Sequence, residues 1–197
     1  MSDDFDIELG AAVEGPAPAP SGKDAEGGPL TVSMEEEASR YARFFLVPWW
    51  DQSLLKASSV LIVGAGALGN ELLKNLALLG VGNLLVLDLD TVEHSNLTRS
   101  VLFRVEDEGR PKAEVAAETV REINPDCAVH AVQGNVLTDI GLGVFLEMDV
   151  VLGGLDNREA RLGINQACWK VNTPWIDGAI EVRSEEHTSE LQSPNTI

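Results

Sequence analysis

A doubly wound α/β domain with a mostly parallel sheet is the fold this sequence predicts, and three observations carry the prediction. Val60-Leu61-Ile62-Val63 is a short apolar run rich in β-branched residues, as in a strand covered on both faces. Gly64-Ala65-Gly66-Ala67-Leu68-Gly69 follows at once, then leucines at helical spacing (Leu68, Leu72, Leu76, Leu79), then a second apolar run, Leu84 to Leu87. Beyond it, strand-like and helix-like stretches keep alternating until five strands are reached, the order of repeated βαβ units.

The elements are expected as follows. Residues 1–32 form an acidic, disordered leader, dominated by Gly, Pro, Ala, Asp and Glu with little to bury. Ser33 and Glu36 read as a capping box opening a helix that runs through SRYARFFLV to Pro48. Arg40 and Arg43 share one side of it, and Trp49-Trp50 with Leu54-Leu55 pack the segment on the domain. Gly80 and Gly82 end the helix that follows the glycine turn. Leu89 to Arg99 loses periodicity and is a loop leaving the strand that ends at Asp88. Pro111 suits the first turn of a helix burying Ala113, Val115, Ala116, Val120 and Ile123, which Asn124-Pro125 ends. Ala128 to Val132 is the third strand, Asp139 to Leu146 a short helix and Asp149 to Leu152 the fourth strand. Asp156 is expected to cap the next helix, with Glu159 at its third position, as far as about Val171; Thr173 to Ile176 is the fifth strand.

The chain of 197 residues, 44% hydrophobic, suits one domain of ordinary size. No run approaches the roughly 20 apolar residues of a membrane span, and the acidic N-terminus is unlike a signal peptide. Cys127 and Cys168 form no C-x-x-C pair, so a reducing cytoplasm is the expected location. The net charge of −18 is uneven: residues 1–39 hold ten acids against one lysine, and residues 183–197 three acids against one arginine. The remaining core is only mildly acidic. That disfavours broad nucleic-acid binding, which needs a basic surface, but leaves room for a local polyanion pocket.

The turn at Gly64, Gly66 and Gly69 offers backbone N–H groups to phosphates, and Asp88, at the end of the next strand, can bond a ribose. That much would equally serve an NAD-dependent oxidoreductase. Further polar residues collect at strand ends: Asp90, Asn96, Arg99, Lys112, Asp156 and Asn157. Two or three cations and a carboxylate suit a triphosphate with Mg²⁺ better than a nicotinamide.

RYAR, GAGALGNELLKNLALLGVG, DLDTVEHSNLTR, GRPKAEVA and LDNREAR, in this order and spacing, resemble the ThiF/MoeB/HesA family, related to the adenylation domain of ubiquitin-activating enzymes. The resemblance implies a Rossmann-like sheet, here incomplete at its C-terminal side, in a domain spanning residues 33–182. It implies an adenylyltransferase that uses ATP and Mg²⁺ to activate the C-terminal glycine carboxylate of a ubiquitin-like (ThiS/MoaD-type) sulfur carrier ending in Gly-Gly. Relatives that activate a carboxyl group on modified tRNA are the alternative within the family. By motif, Gly64, Gly66 and Gly69 let the backbone approach the nucleotide, Asp88 bonds the ribose, Asn96, Arg99 and Lys112 surround the phosphates, and Asp156 coordinates Mg²⁺. Arg43 would act across a homodimer interface on the partner's phosphates, with Arg40 a nearby rival. The family's later cysteine and paired zinc-binding C-x-x-C motifs would fall beyond the expected break at Val182, so zinc is not expected in this fragment.

Arg183 to Ser193, RSEEHTSELQS, is the in-frame translation of what resembles a widely used sequencing-library adapter. Residues 183–197 are therefore expected to be an artefact joined to a gene broken near Val182, and the fragment to be inactive alone.

Overall fold

The computed structural model describes residues 39–178. Five strands form one sheet: β1 (Ser59–Val63), β2 (Asn83–Asp88), β3 (Ala128–Gln133), β4 (Val150–Gly153) and β5 (Trp175–Asp177). Their order is β3-β2-β1-β4-β5 and every pairing is parallel. The helices are α1 (Gln52–Ala57), α2 (Ala67–Leu79), α3 (Lys112–Ile123), α4 (Leu142–Leu146) and α5 (Arg158–Val171). The chain winds outward from β1 through β2 to β3, then returns to β1's other side with β4. The strand order therefore reverses between β1 and β4, and a crevice opens above their carboxyl ends.

Strand alternation builds two cores. Val60, Ile62, Leu84, Val86 and Val129 face α2 and α3, meeting Leu73, Ala77, Ala116 and Val120. Leu61, Val63, Leu85, Leu87 and Val151 face the other way, onto Phe145, Met148, Ile164 and Cys168. Both cysteines are buried and free, and burial pushes the Cys127 thiol up to about 11.

Several expected details differ. The α2 stripe is out of phase: its fully buried residues are Gly69, Asn70, Leu73 and Ala77. Leu68 is exposed, and Leu72 and Leu76 only flank the core. The helix lies close to the sheet, so its inner face uses small residues, which a count of leucines overlooks. Gly80, in the left-handed region (φ 82°), ends α2. Gly82 serves packing instead: a Cβ there would collide with the Lys56 carbonyl.

The expected helix up to Pro48 is absent over its described part; Ser33 and Glu36 lie outside the described residues. Residues 39–50 form successive i→i+3 turns with one short 3₁₀ helix, Phe44–Leu46. Tertiary bonds decide this. Arg40 Nη2 donates to the Ile123 carbonyl at the end of α3 (3.0 Å), and the Tyr41 hydroxyl accepts from Asn124 Nδ2 (3.2 Å). Trp50 stacks on Phe44 with ring centroids 4.4 Å apart, and Leu55 packs on the core. Trp49 is 76% exposed and Leu54 is exposed too, against the expected packing. Helix α4 begins at Leu142, because Asp139 is held in the preceding turn, where its Oδ2 accepts from the Asn135 N–H (2.7 Å).

Candidate functional site

A cleft of about 1040 Å³ sits at the carboxyl ends of the strands. Its floor is the β1–α2 turn. Gly64 has φ +95°, and a Cβ on it would lie 2.8 Å from the Gly154 carbonyl oxygen. A Cβ on Gly69 would lie 1.9 Å from the Gly64 oxygen. Both glycines therefore let the chain pack on itself. Gly66 has no heavy atom within 4 Å of its would-be Cβ and lines the cleft. It is the glycine whose missing side chain leaves space for a ligand, at the N-terminus of α2 with no side chain capping it.

Asp88 ends β2 and is 9% exposed. Its Oδ2 accepts from the Ala65 N–H (2.6 Å) and its Oδ1 from the Asp90 N–H (2.8 Å). Burial pushes its carboxyl above the ordinary value, against the opposing pull of those N–H groups and of Lys112. The acid is thus locked to the glycine turn.

Lys112 opens α3 and is buried, where a solvated charge is the usual fate of a lysine. Its Nζ lies 3.0 Å from Asp90 Oδ2, and its N–H donates to the Asp90 carbonyl (3.0 Å). A bridge between Thr91 and Pro111 pins the same two stretches together. Asn96 is buried in a 3₁₀ helix, His94–Thr98, where its Oδ1 accepts from the Glu93 N–H (3.0 Å). Arg99 follows, exposed, with Nη1 on the Ser95 carbonyl (2.9 Å).

Asp156 lies in the β4–α5 loop and is exposed on the cleft. It does not cap α5. Asn157 does, accepting from Glu159 N–H (2.8 Å) and Ala160 N–H (3.3 Å). The two adjacent residues are both good caps, so sequence alone could not separate them; the result is a carboxylate not spent on the helix. Among the described residues no three His, Cys, Asp or Glu side chains cluster. Mg²⁺ commonly takes one or two carboxylates and completes its shell with water and substrate phosphates, so Asp156 fits a metal brought in with a triphosphate.

Gly64, Gly66, Asp88, Asn96, Arg99, Lys112 and Asp156 thus line one cleft. Gly69 lies beneath it. Arg43 is exposed and does not line it, and Arg40 is committed to the end of α3. Sequence reasoning missed three features. Asn135, Val136 and Thr138 form a further wall beyond β3, which the strand-end rule would have found had it been applied there. Asp90 holds Lys112. Arg161 ties the Leu155 carbonyl (2.6 Å) to that of Gly178 (2.9 Å), fastening the loop of Asp156 to β5.

Strand order, glycine turn and cleft together define a Rossmann-like α/β domain, doubly wound around its ligand crevice. The chain belongs to the ThiF family, whose model matches residues 39–189. It is 36% identical over 153 residues to a probable molybdopterin-synthase adenylyltransferase of Porphyra purpurea, covering 76% of this chain and 40% of that protein. It is 39% identical over 155 residues to the SAMP-activating enzyme E1 of Haloferax volcanii, covering 77% and 57%. A crystal structure of E. coli MccB with AMPCPP and MccA superposes with a TM-score of 0.65 at 30% identity, covering 75% of this chain and 47% of that one. The chain spans about half the length of these relatives. Among the described residues no helix is long and apolar enough to cross a membrane.

Proposed function

We propose that this chain is the ATP-binding part of an adenylyltransferase that activates the C-terminal glycine carboxylate of a ubiquitin-like sulfur-carrier protein and releases pyrophosphate. The observation that carries this reading is the convergence of Asp88, Asn96, Arg99, Lys112 and Asp156, from separate stretches of chain, on one cleft above Gly66. Relatives named as an adenylyltransferase and as an E1 activating enzyme support it, as does AMPCPP, an ATP analogue, with MccB.

In this reading Asp88 accepts hydrogen bonds from the ribose hydroxyls, and the N–H groups at the start of α2 face phosphate oxygens. Lys112 and Arg99 offset the phosphate charge, and Asn96 holds the turn from which Arg99 projects. Asp156 would hold Mg²⁺, which supplies further charge neutralisation along the phosphates. The carrier carboxylate attacks the α-phosphorus in line; the new O–P bond forms as the bond to the β-phosphate oxygen breaks and pyrophosphate departs. No protein nucleophile is needed, so positioning and charge carry the catalysis. Arg43, free of its own chain's cleft, is assigned to the partner's site in a homodimer.

The test is a titration of the chain with ATP·Mg²⁺ and, separately, with NAD. Binding of ATP that weakens sharply in Lys112→Met supports the proposal. NAD binding without ATP binding would sink it.

A further inference from the structure

Asn70 is fully buried in the second turn of α2 and lines no part of the cleft. Asparagine is a poor interior helix residue, and an unpaired amide there would be costly. Its hydrogen bonds explain its presence. Nδ2 donates to the Ala65 carbonyl (2.7 Å) and the Gly66 carbonyl (3.0 Å), while Oδ1 accepts from the Leu102 N–H (2.8 Å). One side chain thereby joins the glycine turn to a residue 32 positions later.

Both ends of that link reach the cleft. The Ala65 N–H goes to Asp88 and the Ala65 carbonyl to Asn70, so the backbone of one residue connects the proposed ribose acid to Asn70. Leu102 closes the loop that carries Asn96 and Arg99, and its carbonyl accepts from Thr119 Oγ1 of α3 (2.9 Å). Buried Leu102 and Phe103 anchor the loop to the core by apolar contact, which is not directional. Asp88 ties the start of that loop to the turn through Asp90, and among the described residues the amide of Asn70 is the directional bond that ties its far end, at Leu102, to the same turn.

We propose that Asn70 is a positioning residue that holds the loop of Asn96 and Arg99, on the phosphate side of the site, in register with the glycine turn and the ribose acid Asp88. This rests on the ATP-binding reading above. Loss of the amide should therefore act on the phosphates and spare the nucleoside. A residue serving stability alone would spare both ligands in a folded variant.

The experiment measures the affinity of the full chain for ATP·Mg²⁺ and for adenosine in wild type, Asn70→Ala and Asn70→Ser, with thermal melting to confirm folding. The expected result is ATP weakened by about tenfold or more in Asn70→Ala, with adenosine within about twofold of wild type. Equal losses for both ligands in a folded variant, or no loss for either, overturn the proposal. Should neither variant fold, hydrogen exchange of the wild type decides: ATP·Mg²⁺, but not adenosine, should slow exchange of the Leu102 amide. An equal effect of both ligands, or no effect of ATP, overturns it. A wild type that binds adenosine but not ATP refutes the proposed function itself, a failure separate from an ATP-binding wild type whose Asn70 variants bind normally.

Discussion

Two glycines of one motif, three positions apart, should respond to alanine in opposite ways. At Gly69 a Cβ would lie 1.9 Å from the Gly64 carbonyl oxygen and 2.8 Å from its carbon. Both are backbone atoms, so nothing flexible can step aside, and α2 or the turn must move. Overpacking of this kind costs roughly 1–3 kcal/mol, and backbone against backbone puts the site at the upper end. At Gly66 nothing lies within 4 Å, and φ is −71°, open to any residue. The only fold cost of Gly66→Ala is a poorer helix cap, about 1 kcal/mol or less. Its methyl, however, stands where the phosphates would approach the N-terminus of α2. Thermal melting and ATP titration read the two effects separately. Gly69→Ala should lower the melting temperature by about 4–12 °C. Gly66→Ala should melt within a few degrees of wild type and lose at least about tenfold in ATP affinity. A stable Gly69→Ala would refute the packing argument. A Gly66→Ala chain that binds ATP like wild type would refute the placement of the nucleotide.

Other substitutions follow from the same geometry. Asp156→Ala should leave the melting temperature unchanged, since the cap belongs to Asn157, while Mg²⁺-dependent ATP affinity falls; Asn157→Ala should cost about 1 kcal/mol of stability by denaturant titration. Asp88 has a raised folded pKa, so the folded state holds its proton more tightly than the unfolded chain. Its stabilising contribution is then complete below the unfolded value of 3.8 and is lost as pH rises through the folded pKa. Asp88→Asn should accordingly flatten the pH–stability curve above that value and abolish nucleotide binding, as melting curves across pH would record. Cys127 and Cys168 should resist a thiol reagent in the native chain and react on denaturation, because both are buried with raised pKa values.

Much of the fold was legible because the inner strands are buried on both faces. Val60–Val63, Leu84–Leu87 and Val150–Leu152 are continuous apolar runs, as in strands covered on both faces. The phase of α2 was not legible, since Gly69, Asn70 and Ala77 are chosen for close approach and for a buried amide, neither of which hydrophobicity records. The segment before Pro48 reads as helical locally, but Arg40 and Tyr41 are drawn to the end of α3, contacts far away in sequence. In the site, motif spacing brought together Asp88 and Asp156, at or just past strand ends, with Asn96 and Arg99 in the loop after β2 and Lys112 at the start of α3. Motif identity could not say which glycine faces the ligand, nor that Lys112 is held by Asp90. Those depend on distances between stretches that the sequence leaves unordered in space.

Carrier-dependent exchange of labelled pyrophosphate into ATP is the most direct test of the central claim, measured on a protein that joins this domain to the remaining length its relatives have. Exchange that requires a Gly-Gly carrier and Mg²⁺, and disappears in Asp156→Ala, is the predicted result. Wild-type exchange in Asp156→Ala, or no exchange with any such carrier in a protein that binds nicotinamide nucleotides, would contradict it.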